Sequence, residues 1–209
     1  MNPAKPGRFA EPLGGRIAGL DEAGRGPLAG PVYAAAVILP PDFPVHALND
    51  SKKLDEKKRK EAAAIILKEA AWGIASAEAS EIDRINILQA SLLAMSRAWA
   101  ALAAAFPGWT QGAGAVADGL YCPVLPIPCR AMVKADAQVP EVMAASILAK
   151  TARDMIMEKF SWFYPEYGYD KHKGYPTKAH REAIAQYGPS PLQRQSFTVR
   201  PVQGELFQT

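Results

Sequence analysis

The sequence predicts an α/β fold in which helices lie on a central sheet, with a helical segment added at the carboxy end. Three observations carry that expectation. Short apolar runs bounded by glycine and proline recur from "RIAGL" to "PIPCRAM". Longer segments with apolar residues at helical spacing lie between and after them. Beyond the break at "YPEYGYDKHKGYPT" only one short helical segment follows. The expected division is a sheet with its helices up to about residue 149, then a small helical annex from about residue 150.

Residues 1–14 read as a loose lead-in. Arg16 to Leu20 and Val32 to Leu39 are apolar runs joined by "DEAGRGPLAGP", the pattern of two strands with a bent connection. The proline-bounded turn "PPDFP" leads to "NDSKKLDEKKRKEAAAIILKEAA". A helix is expected there from about Asp55 to Ala70, with Asp50 or Ser51 as cap and Asp55 and Glu56 in the first turn. "WGIASAEAS" alternates as a short strand. A second long helix follows through Ile85, Leu88, Leu92, Met95 and Trp99 until Pro107 stops it. "GAVADG" and "PIPCRAMVKAD" each read as a short strand ending on an aspartate. "VPEVMAASILAKTARDMIMEKFSWFY" reads as a third helix, and Lys178 to Tyr187 as a last short one before a proline-punctuated tail.

A length of 209 residues with 49% apolar content allows about one or two domains and a sizeable core. The net charge of +3 permits polyanion binding without arguing for it, because the placement of charge matters more than its sum. The amino-terminal stretch lacks the apolar core of a signal peptide, and no run reaches the ~18 uninterrupted apolar residues of a membrane span. A cytoplasmic protein without membrane contact is therefore expected. Cys122 and Cys129 have neither zinc-knuckle spacing nor the number of a disulfide scaffold, so both are expected as thiols. No heptad pattern suggests association, and a monomer is expected.

Asp21 and Glu22, Asp118 and Asp136 share one feature: each lies at the downstream end of an expected strand. Ligands of open α/β sheets bind at such ends, so the four can converge although they are far apart in sequence. Carboxylates gathered in one cleft repel, and Mg²⁺ or Mn²⁺ relieves that repulsion with hard oxygen ligation. Neighbours on a regular strand face opposite ways, so Asp21 and Glu22 can share a site only if the chain leaves the strand there, a bend that Gly24 and Gly26 allow. Spacing alone leaves open the plainer reading that these aspartates are caps and turn formers.

Longer strings narrow the choice. "GLDEAGRGPLAGPV", "NDSKKL", "INILQAS", "KAD" followed by "AASILAKTARD", and "HKGYPTKAH" occur in this order in one chain. Together they resemble bacterial type 2 ribonuclease H, ribonuclease HII, over about residues 15 to 198. The resemblance implies a ribonuclease H-like mixed central sheet flanked by helices, with residues 199–209 a tail outside the catalytic domain. It implies that Asp21, Glu22, Asp118 and Asp136 form an acidic site for two Mg²⁺ or Mn²⁺ ions. Gly24, Arg25 and Gly26 are then the segment that reads the 2′-hydroxyl of a ribonucleotide in a duplex. A 2′-hydroxyl both donates and accepts, and backbone groups approach it closely only where no Cβ intervenes.

In the same way the resemblance implies that Tyr175 stacks on the sugar where ribonucleotide meets deoxyribonucleotide, and that Lys52, Ser146, Lys150 and Lys173 hold phosphates, which fixes register without reading bases. An i,i+4 pair of Lys150 with Asp154 competes with phosphate contact. His172 and His180 are expected as surface histidines, since metal-activated water needs no histidine base. Two departures stand out: Ala135 where glycine is expected before the aspartate, and Leu120 where a polar residue is more usual.

The implied activity is an endoribonuclease for RNA–DNA hybrids and for single ribonucleotides in duplex DNA, cutting on their 5′ side to leave 3′-hydroxyl and 5′-phosphate ends. Ribonucleotide removal and primer clearance are the implied roles. Because fold and acidic cluster do not by themselves choose a substrate, two rivals stand beside this reading: a resolvase-like nuclease on the same fold, and a non-catalytic hybrid-binding module.

Overall fold

The computed structural model describes residues 15–48 and 55–198. The apolar run before Asp21 forms β1 (Ile17–Ala23), and the run after the glycines forms β2 (Val32–Ile38), antiparallel to it. β3 (Ala71–Ala77) pairs antiparallel with β2. β4 (Gly114–Asp118) lies parallel to β1, and β5 (Cys129–Met132) parallel to β4. The resulting mixed sheet has the order β3-β2-β1-β4-β5.

Helix α1 (Glu56–Glu69) starts where its sequence suggests, but Asp55 is the cap rather than a first-turn residue. Its carboxylate accepts the N–H of Lys58 at 2.8 Å, satisfying one of the donors that a helix start leaves open. Asp50 and Ser51 lie outside the described residues.

Helix α2 (Ala79–Ala105) departs from the single stripe expected. Asn86 has φ 65° and ψ 164°, and its Oδ1 accepts the N–H groups of Leu88 at 3.0 Å and Gln89 at 3.1 Å, so a fresh cap interrupts the helix. The phase shifts there. The buried face is Ile82 before the break and Ala90, Ala94, Met95, Ala98, Trp99 and Leu102 after it. By length and composition α2 could cross a membrane; in this fold that face is part of the core over the sheet, with Ala34 and Ala36 of β2.

Alternation of side chains along the strands gives the sheet two apolar faces. Ala18, Leu20, Ala34 and Ala36 pack with α2, whereas Ala35 and Val37 pack with Ala62 and Ile66 of α1 and with Ala144 and Leu148 of α4 (Pro140–Phe163). Gly19 lets α4 come close to β1, because a Cβ there would lie 2.0 Å from the carbonyl carbon of Glu141. Two single-turn helices, α3 (Pro107–Thr110) and α5 (Tyr169–His172), and α6 (Lys178–Tyr187) complete the fold. Residue 150 falls within α4, which runs without a break from the sheet into the carboxy-terminal segment.

Candidate active site

β1 and β4 run parallel side by side, and β4 ends at Asp118, two residues short of the level at which β1 ends. Leu20 pairs with Ala117, so the next residues, Asp21 and Asp118, lie on adjacent strands at one end of the sheet. Asp136 reaches the same end by a different route. The strand expected to end on it stops at Met132, Lys134 turns the chain with φ 58°, and Asp136 sits in a 3₁₀ turn, Ala135–Ala137. That turn is tied to β4 because the Ala135 N–H donates to Asp118 Oδ1 at 2.7 Å. Asp21 and Asp136 are both buried, 6% and 3% exposed.

The bend expected at Asp21 and Glu22 is not there. β1 remains paired with β2 through Ala23, and the chain turns only at Gly24, with φ +100°. The acids interact all the same. Burial raises the Asp21 carboxyl well above the ordinary carboxylate range, and the charges of Glu22 and Asp118 add to the rise. Its Oδ1 accepts the Glu22 N–H at 2.7 Å, and the nearby Ser146 hydroxyl offsets part of the rise. Burial raises Glu22 too, against the pull of Arg25, whose Nη1 is 3.2 Å from Glu22 Oε1. Among the described residues no three His, Cys, Asp or Glu side chains are already drawn together as a metal cage.

The loop after β1 meets the loop that carries Tyr175. Leu28 N–H donates to the Gly174 carbonyl at 2.8 Å. A Cβ on Gly26 would stand 3.7 Å from the Tyr175 ring, an ordinary contact, while one on Gly24 would lie 1.9 Å from Arg153 Nε. The two glycines therefore differ: Gly24 is required by packing and by its positive φ, whereas Gly26 is exposed and open on its outer side. Tyr175 is 38% exposed, with Lys150 Nζ 5.7 Å and the Arg153 guanidinium 5.8 Å from its ring centre.

Of the four residues implied as phosphate contacts, Lys52 lies outside the described residues. Ser146 faces Asp21. Lys150 Nζ is 2.7 Å from Asp154 Oδ1, the i,i+4 pair that competes with phosphate, and Asp154 is held also by Arg59 at 3.0 Å. Lys173 Nζ pairs with Glu158 at 2.9 Å. Ala135 is fully buried beside Asp118, and Leu120 is 65% exposed.

His180 and His172 are not surface histidines. His180 is fully buried and His172 partly so, their rings stacked with centres 4.5 Å apart beneath the Tyr175 loop. His180 Nδ1 lies 3.0 Å from the Tyr175 carbonyl, which assigns the proton to that nitrogen. Burial, the main cause, pushes the His180 ring down to about 4. Sequence reasoning also missed two fully buried arginines, Arg153 and Arg194, whose guanidinium groups bind backbone carbonyls around the Gly24 loop. Arg153 carried only a helix-spacing signal, and Arg194 in "QRQSF" carried none.

The comparisons agree with this architecture. A family model described as Ribonuclease HII matches residues 18–201. A ribonuclease HII of Dechloromonas aromatica is 55% identical over 184 residues, which cover 88% of this chain and 91% of that protein. Among solved structures, the complex of PCNA with ribonuclease HII from Archaeoglobus fulgidus aligns with TM-score 0.69 at 24% identity, covering 90% of this chain and 97% of that one. Bst-RNase HIII in complex with Mn²⁺ aligns with TM-score 0.70 at 19% identity, over 88% of this chain and 68% of its own. At such identities the structures establish the ribonuclease H fold, while the family match and the close sequence relative establish the lineage. On both grounds the chain belongs to the ribonuclease HII family of ribonuclease H endonucleases.

Proposed function

We propose that this protein cleaves RNA in RNA–DNA hybrids and cuts 5′ to single ribonucleotides in duplex DNA, leaving 3′-hydroxyl and 5′-phosphate ends. The observation that carries the proposal is the meeting of the acidic strand ends with the glycine loop and Tyr175. Asp21 begins the short stretch that turns at Gly24, and Gly26 then lies beside the Tyr175 ring. A scissile phosphate at the acids therefore has its ribose within reach of the loop.

Asp21, Glu22, Asp118 and Asp136 would hold two Mg²⁺ or Mn²⁺ ions with substrate bound. These ions would supply an activated water and charge stabilisation at the leaving 3′-oxygen. The donor set suits hard cations: all four side chains offer carboxylate oxygens, and the Asp21 carboxyl, raised chiefly by burial, is raised further by the charges of Glu22 and Asp118. The Mn²⁺ in Bst-RNase HIII supports the same choice of ion. Arg25, half-exposed, can leave Glu22 for a phosphate when a metal takes its place. Tyr175 presents an apolar ring face to the deoxyribose side of the junction. Lys150 and Lys173 reach phosphates by exchanging their present carboxylate partners. A cytoplasmic monomer acting in ribonucleotide removal and primer clearance completes the reading.

The test is a duplex carrying one ribonucleotide beside an all-DNA duplex of the same sequence. The proposal expects a single cut 5′ to the ribonucleotide and none in the control. Equal cutting of both would favour a resolvase-like nuclease, and binding without any cut would favour a hybrid-binding module.

A further inference from the structure

Arg194 is fully buried, and its guanidinium donates to three carbonyls of one loop. Nη2 lies 2.6 Å from the Gly24 oxygen, Nη1 3.0 Å from that of Arg25, and Nε 2.9 Å from that of Gly30. Among the described residues it forms no ion pair. An apolar side chain could fill such a space without the desolvation cost of a cation, so what the guanidinium adds is direction: a rigid fork of donors that fixes where each carbonyl points.

Direction of the carbonyls decides direction of the amides. Every peptide described is trans, and in a trans peptide the C=O and the following N–H point opposite ways. With the Gly24 and Arg25 carbonyls held inward, the N–H groups of Arg25 and Gly26 are turned outward, on residues that are themselves exposed. The arginine is delivered by a strap laid across the loop. Gly30 N–H bonds to the Leu192 carbonyl at 2.9 Å, Arg194 N–H to the Leu28 carbonyl at 2.9 Å, and Gln193 bridges to Ala29. Asp83 of α2 anchors the strap, accepting the N–H groups of Gln195 at 2.9 Å and Ser196 at 2.8 Å and the Ser196 hydroxyl at 2.6 Å.

We infer that Arg194 is a positioning residue for ribonucleotide recognition: through the Gly24 and Arg25 carbonyls it aims two backbone donors at the sugar, so the carboxy-terminal strap sets the preference for ribose. The inference rests on the proposed function and names the element that tunes its specificity.

The experiment compares binding of the full chain to a one-ribonucleotide duplex and to its all-DNA counterpart, with Ca²⁺ replacing Mg²⁺ to hold off cleavage. Arg194→Met is expected to lower the preference about tenfold, as misaiming two hydrogen bonds would, with all-DNA affinity held within about twofold. Arg194→Lys keeps the charge without the fork and is expected to lose the preference too. Asp83→Ala loosens the strap from its half-buried anchor, leaves the core intact, and is expected to lower the preference about threefold even if Arg194→Met does not fold. A purely structural role would weaken both duplexes equally; that result, or restored preference with lysine, overturns the inference. A wild-type protein that binds both duplexes alike overturns the proposed function, whereas discrimination unchanged in Asp83→Ala and both Arg194 variants overturns the positioning role alone.

Discussion

Asp118 accepts the N–H of Ala135 at 2.7 Å, and this one bond ties the last residue of β4 to the turn that carries Asp136. The carboxylate thus has a structural partner as well as its place in the acidic cluster, and two substitutions separate the functions. Asp118→Asn keeps an oxygen for the Ala135 amide and removes the charge. Cleavage of a one-ribonucleotide duplex should fall at least about a thousandfold while duplex binding stays within a few-fold, since charge stabilisation is the larger catalytic contribution. Asp118→Ala should lose cleavage as well and melt with about 1 kcal/mol less stability, the usual worth of one hydrogen bond. Thermal melts beside gel assays read both effects.

The two glycines flanking Arg25 should answer differently to alanine. At Gly24 the new Cβ meets Arg153 Nε at 1.9 Å under φ +100°, so Gly24→Ala should destabilise the fold by at least about 2 kcal/mol. At Gly26 the nearest atom is 3.7 Å away, and Gly26→Ala should fold like the parent. Its defect should appear only in ribonucleotide cutting, where a methyl keeps the sugar from the backbone. Urea unfolding and steady-state kinetics on both variants distinguish the two.

Lys150 is bound to Asp154, which keeps Arg59 if the lysine is removed. Lys150→Met should therefore change stability little. If Lys150 turns to a phosphate in the complex, the plot of log affinity against log salt should become shallower by about 0.9, the counterion equivalent of one contact. An unchanged slope would leave Lys150 as an intramolecular partner only.

His180 makes the fold sensitive to acid. Its ring is kept neutral to about 4 in the folded chain, whereas an unfolded histidine takes up its proton near 6.5. Between those values the unfolded state binds more protons, so stability falls as pH drops through this window and is level above it. At pH 5 the chain should be about 2 kcal/mol less stable than at pH 7 from this residue. His180→Gln should flatten that part of the profile in urea titrations at the two pH values.

The sequence made the local features legible. Apolar runs, proline stops and cap residues placed β2, α1 and α6 almost residue for residue and found β1 but ended it three residues early, and the placement of aspartates after short apolar runs brought Asp21 and Asp118 to one sheet end. What escaped depends on partners distant along the chain. The break at Asn86 stands inside an apolar pattern that looks continuous, because a side-chain oxygen capping the next turn has the same composition as a helix interior. Asp136 looked like a strand residue because only tertiary contact with Asp118 reveals its turn. Arg194 and His180 carry the polarity of surface residues. Their burial follows from the strap and the Tyr175 loop closing over them, and no local pattern announces that closure.

The proposed chemistry requires the four dispersed carboxylates to share divalent ions at the sheet end. The most direct measurement is a calorimetric titration of Mn²⁺ into the protein carrying a one-ribonucleotide duplex whose scissile phosphate resists hydrolysis. Close to two equivalents are expected for the parent chain, with a clear loss of binding in Asp118→Asn and in Asp136→Asn. Mn²⁺ uptake that is unchanged in both variants would contradict that chemistry.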